Sequence, residues 1–164
     1  MKILNKIKNN KKGFTLVEII VVVVILAVLL AIAVPSVLRY LDEADNAKYT
    51  SQAKSALTTA QAEFVKAYSS DRKVTTTEVS SMVTEIRTEA GLASDVSVTL
   101  YTVAPKVTEN GGTLTITNGT AFAGKDSILP TDTDIEAIAY TVSNKQIVAI
   151  GNDKIYVGDV PAGF

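Results

Sequence analysis

The 164-residue chain contains no cysteine, no histidine, no tryptophan and only four prolines. Without cysteine there is no disulfide, no thiolate nucleophile or metal ligand, and no attachment point for a lipoprotein anchor. Without histidine the His-based acid–base triads are gone, together with the commonest metal ligand. Carboxylate pairs and Ser–Lys dyads stay chemically open, but most familiar hydrolase chemistry loses its usual groups. No Gly-rich phosphate loop is present either. The chain reads as a non-enzyme that needs no cofactor.

Charge of one sign is missing from the start of the chain. Residues 1–13 carry Lys2, Lys6, Lys8, Lys11 and Lys12 with no acid, a charge of +5. The rest carries eleven basic and seventeen acidic side chains, a charge of −6. An acidic body argues against nucleic-acid binding by bulk charge. A basic head in front of it suits a segment held at the cytoplasmic face of a membrane.

Beyond the lysines the chain turns apolar. Ile19 to Val34 is a run of sixteen consecutive apolar residues, extended at its front by Phe14, Leu16 and Val17. At about 1.5 Å per residue the run alone is roughly 24 Å long as a helix. With its front extension it reaches the ~30 Å of a bilayer's hydrocarbon layer. A buried core helix fits poorly, because every face is apolar. An ordinary secretory signal, with Ala31-Ile32-Ala33 as its small-residue cleavage site, stays open. Against it, the apolar stretch is long and the helical pattern continues well beyond it.

Two residues do not suit a plain anchor. Glu18 puts a carboxylate inside the apolar segment, where charge is costly and functional by default. Gly13 stands at the junction between the lysines and Phe14. Cleavage after Gly13 would remove the basic head and create an α-amine one helical turn from Glu18.

Lys11-Lys12-Gly13-Phe14-Thr15-Leu16-Val17-Glu18, the apolar run and Pro35 together resemble the class III signal of type IV pilins, closely over about residues 8–40. The resemblance is to a prepilin, most like a major pilin without the C-terminal disulfide of many relatives. It implies that prepilin peptidase cuts after Gly13 and N-methylates Phe14, and that residues 1–13 are lost. It further implies that Glu18 is the assembly glutamate and Pro35 the family's helix proline. Residues 14–35 would be the transmembrane and filament-core helix, and residues 36–164 the globular head. Membrane lipid would solvate the precursor as a single-pass protein of the cytoplasmic membrane. Sister subunits would replace lipid in an extracellular homopolymer built by the pilus assembly machinery, whose motor ATPase acts indirectly. Ala27 stands where many pilins have a small or helix-weakening residue, often Gly.

The physics of Glu18 fits such an assembly. A carboxylate buried among apolar helices is strongly disfavoured unless paired. The Phe14 amine of a neighbouring subunit would supply the partner and fix the register between helices. Pro35 removes an amide donor, so a kink or a locally melted turn is expected there.

From residue 36 to 68 the helical pattern becomes amphipathic. Val37, Leu41 and Ala44 form one stretch of stripe, and Ala53, Leu57, Ala60, Phe64 and Ala67 another. Residues 14–68 would form one helix of about 80 Å. Residues 69–73 read as a turn, and Thr75-x-x-Glu78 as a capping box opening a short helix over about 76–90. Strands are expected within about 95–164: around 96–100, 113–117, 137–142, 147–150 and 155–157. Turns fall at Asn110-Gly111-Gly112, Asn118-Gly119, Ser143-Asn144 and Gly151-Asn152-Asp153. The expected fold is α+β, a long N-terminal helix packed through its C-terminal half on an antiparallel β-sheet.

Asp132, Asp134 and Glu136 alternate along one loop and are weak calcium candidates. No glycine comes after them to turn the loop, so a solvated acidic loop is the preferred reading and no metal is expected. Function then divides into a pilus subunit supporting adhesion, motility or biofilm formation, and several alternatives. These are a minor pilin, a type II secretion pseudopilin, a competence pilin, and a single-pass anchored binding module that never polymerises.

Overall fold

The computed structural model describes residues 13–124, 134–151 and 154–161. Among them, helix α1 spans Leu16–Asp71, helix α2 spans Thr76–Glu89, and seven strands come after. Contacts divide the chain into two units, Met1–Glu43 and Ala44–Phe164.

The first unit holds the front of α1. Its apolar residues have no alternating polar face to hide, and every described residue here is exposed. Among the described residues, all the large exposed apolar side chains except Val65 and Val103 lie between Phe14 and Leu41. The helix is unbroken through Pro35, so no melted turn is present. Pro35 simply has no amide proton to give the Ala31 carbonyl one turn back. Val37 and Leu41, expected from the sequence to form part of a packing stripe, are exposed.

The second unit holds the rest of α1, where Ala53, Ala56, Ala60 and Phe64 are buried. Small alanines let a sheet approach closely, and the spacing of three and four keeps them on one face. They pack with Val79, Met82 and Ile86 of α2 and with Leu100, Phe122, Ile138, Tyr140 and Ile147 of the sheet. Phe64 stacks on Tyr68 and meets Phe122 edge-on with ring centroids 5.4 Å apart. Each large side chain so buried contributes about 1.5–3 kcal/mol. Burial also pushes the Tyr140 phenol well above its ordinary value, and its hydroxyl has no hydrogen-bond partner among the described residues.

Helix α1 ends at Asp71, a little beyond the expected boundary. Arg72 takes a left-handed φ of 60°, and Asp71 Oδ1 accepts the Lys73 amide at 3.0 Å. The capping box then starts α2 as the sequence implies: Thr75 Oγ1 accepts the Glu78 amide, and the Glu78 carboxylate accepts the Thr75 amide.

The strands are β1 (Val98–Val103), β2 (Lys106–Asn110), β3 (Thr113–Thr117), β4 (Thr120–Phe122), β5 (Ala137–Val142), β6 (Lys145–Ile150) and β7 (Lys154–Asp159). They form one sheet in the order β2-β3-β7-β6-β5-β1-β4. All pairings are antiparallel except β3 with β7, which meet in parallel at Thr113 and Asp159. Ser143 and Asn144, both with positive φ, turn β5 into β6, as a tight hairpin requires.

The sheet has a second apolar face. Ala139 alternates with Ile138 and Tyr140 and points away from α1. With Val148 and Leu114 it forms a separate buried cluster, flanked by Val107 and Ile116 of the β2–β3 hairpin. Gly158 makes room for that hairpin: a Cβ there would lie 2.6 Å from Leu114 Cγ and from the Gly112 carbonyl. The sheet thus curls, with β2–β3 covering its back.

Candidate functional site

The candidate site is the front of α1. Gly13, Phe14 and Thr15 precede the helix in irregular backbone. A Cβ placed on Gly13 would meet nothing within 4 Å, and Phe14 is exposed. The Gly13–Phe14 bond is therefore neither helical nor covered, which is the condition a protease needs.

Thr15 is the residue just before the helix, and Glu18 is its third residue. The Thr15 amide donates to Glu18 Oε2 at 2.8 Å, and the Thr15 hydroxyl donates to the same oxygen at 2.9 Å. The Glu18 amide returns a bond to Thr15 Oγ1 at 3.3 Å. This is a capping box, which satisfies orphan amides at a helix start. Its signal, Thr-x-x-Glu, is the one that marks α2, yet at residues 15–18 it is masked by the apolar setting of Glu18. The box gives Glu18 local donors of its own. Both bonds from Thr15 fall on Oε2, and among the described residues Oε1 accepts none.

Behind Glu18 the run Ile19–Val34 is a helix with every side chain exposed. It is long and apolar enough to cross a membrane. A contiguous apolar surface of this size is far beyond the few hundred Å² a soluble monomer exposes. It demands lipid, or other protein, around it.

The other candidates behave differently. Asp132 lies outside the described residues. Asp134 Oδ1 accepts the Ile135 amide at 2.8 Å, and Glu136 Oε2 accepts the Ala104 amide at 2.8 Å. Both carboxylates are used to tie backbone, with Glu136 joining the start of β5 to the end of β1. Among the described residues no group of three or more potential acidic, His or Cys ligands is placed to hold a metal.

The prokaryotic N-terminal methylation motif matches residues 8–34. No curated protein and no solved structure shows significant similarity to the chain. The matched segment contains the junction at Gly13, the capping box and the whole apolar run. It supports a type IV pilin-like or pseudopilin precursor, membrane-anchored by its apolar helix and bearing the signal that prepilin peptidase processes.

Proposed function

We propose that the chain is a structural subunit of an extracellular type IV pilus. In this reading residues 1–13 are the cleaved leader, residues 14–35 enter the filament core, and residues 36–164 form the head. The protein waits in the cytoplasmic membrane, is cut after Gly13 and methylated on the Phe14 amine, and then exchanges lipid for identical helices. The filament serves adhesion, motility or biofilm formation.

The observation that carries this reading is the exposed apolar helix headed by Glu18, placed just beyond a bare Gly13–Phe14 junction. Glu18 Oε2 is occupied by its own Thr15 donors, which lowers the cost of storing a carboxylate in lipid. Oε1 is left for the amine of a neighbouring Phe14. A buried pair of this kind gives register more than net stability.

N-terminal mass spectrometry of membrane and sheared-surface fractions tests the proposal, together with electron microscopy of the sheared material. The expected result is a chain beginning at methylated Phe14 and fibres that contain it. An intact N-terminus, with no fibres, would assign the protein to the non-polymerising anchored modules instead. Replacing Gly13 by a bulky residue should block cleavage, whereas Gly13→Ala should be tolerated.

A further inference from the structure

The charges on the front of α1 repeat with a fixed relation. On the filament reading above, the Phe14 amine of one copy meets Glu18 of the next, so neighbouring rods are offset by about four residues, roughly 6 Å along the axis. Arg39 and Glu43 are also four residues apart, and each lies 25 residues beyond its counterpart: Arg39 beyond Phe14, Glu43 beyond Glu18. Seven turns of α-helix take about 25.2 residues, so Glu43 returns to the face of Glu18, with Arg39 one turn before it on the same side. The helix runs without a break from Leu16 past Glu43, so this phase is kept from Glu18 to Glu43, and Phe14 stands two residues ahead of the helix start.

Between the two charge pairs the same face carries Val21, Ile25, Val28 and Ile32, at steps of three and four. Charge, apolar stripe and charge therefore lie in line. Arg39 and Glu43 stand beside Leu38 and Leu41, which are exposed and apolar. Within one chain, Arg39 and Glu43 make no ion pair or side-chain hydrogen bond among the described residues, although both are exposed.

We propose that Arg39 of one copy pairs with Glu43 of the next, a second inter-subunit clamp in the register set by Phe14 and Glu18. The occupant of this helix face is a second copy of the same chain, packed near-parallel. The clamp holds the rods at the far end of their apolar contact. A one-turn slip would then separate both pairs at once, which penalises wrong registers as well as rewarding the right one.

Charge reversal in the full chain tests this. Arg39→Glu gives a subunit with acids at both positions, and Glu43→Arg one with bases at both. Each alone should yield about tenfold fewer sheared filaments than wild type, the size of effect a rim-to-buried charge pair supports. Co-expressed, they are complementary only between chains, so filaments containing both tagged variants should return to within about twofold of wild type. Single reversals that assemble normally would overturn the proposal. So would failure of the mixture when the double swap R39E/E43R assembles, since that pattern means pairing within one chain. Failure of both combinations would also overturn it. The filament reading is judged separately: it fails if wild-type protein itself gives no fibres, and it survives if wild type assembles through Glu18 while the reversals have no effect.

Discussion

One four-residue pattern starts both helices, with different consequences. Thr15-x-x-Glu18 and Thr75-x-x-Glu78 have matching geometry, with donor distances of 2.8, 2.9 and 3.3 Å in each. In the head, the box only starts α2, beside a sheet that buries Val79, Met82 and Ile86. At the front of α1 it places a carboxylate at the head of a helical stretch, residues 16–43, in which every residue is exposed. A capping motif has one local job wherever it occurs. What surrounds it decides whether its acid acquires a second.

The comparison is tested most severely by exchanging which acid is lost. Glu18→Ala should lower filament yield by at least ~100-fold, because an amine buried without its partner costs about 3–5 kcal/mol. It should leave head melting unchanged in detergent. Glu78→Ala should do the opposite, lowering the melting temperature while filaments still form. Thermal melts and quantified shear fractions measure both. Equal assembly defects from the two variants would remove the distinction between the boxes.

The next contrast lies between the two halves of α1. Phe64→Ala should destabilise the head by about 3–5 kcal/mol, since a fully buried aromatic leaves a cavity. Leu29→Ala should leave melting in detergent unchanged, because Leu29 touches no core. Denaturant titration of the full chain in micelles, followed by tyrosine fluorescence, reads both. A third contrast returns to the caps. Thr75→Ala should cost the head about 1 kcal/mol. Thr15→Ala should not alter head stability but should reduce the amount of precursor inserted, since it strips Glu18 of its local donors.

Much of this organisation is legible in the residues. The apolar run, the Ala53, Ala60 and Phe64 positions of the stripe and the strands at Thr113–Thr117 and Ala137–Val142 come from periodicity and composition alone, and the structure places them at those positions, with Ala56 buried and Leu57 and Ala67 only partly so. Strand β2 escapes because Lys106, Glu109 and Asn110 make it polar, as an edge strand can be. Strand β4 is only three residues long and gives no period to detect. The curl of the sheet is not legible either. It depends on Leu114 reaching the bare Cα of Gly158 across 44 residues, and nothing local in either strand announces that contact. The first capping box is hidden for another reason. Glu18 stands out as a charge inside an apolar segment, and that prominence obscures its relation to Thr15.

The smallest effect concerns the charge of Glu78. Hydrogen bonds from the Thr75 amide and hydroxyl hold its carboxyl below the ordinary glutamate value of 4.5. In the unfolded chain these donors are lost and the carboxyl returns to that value. The folded state thus binds its proton less readily, and folding is favoured by the ionised form. This contribution is fully present above pH 4.5 and disappears as pH falls through the depressed folded value. Glu78→Gln removes the titration but keeps an oxygen able to accept both donors. The variant should lose less stability than wild type on acidification through that window, and the two melting curves should converge at its acid end. Parallel curves would show that Glu78 caps α2 by shape alone. The box would then be indifferent to charge in the head, and Glu18's charge would have to be explained wholly by what its neighbours in an assembly require.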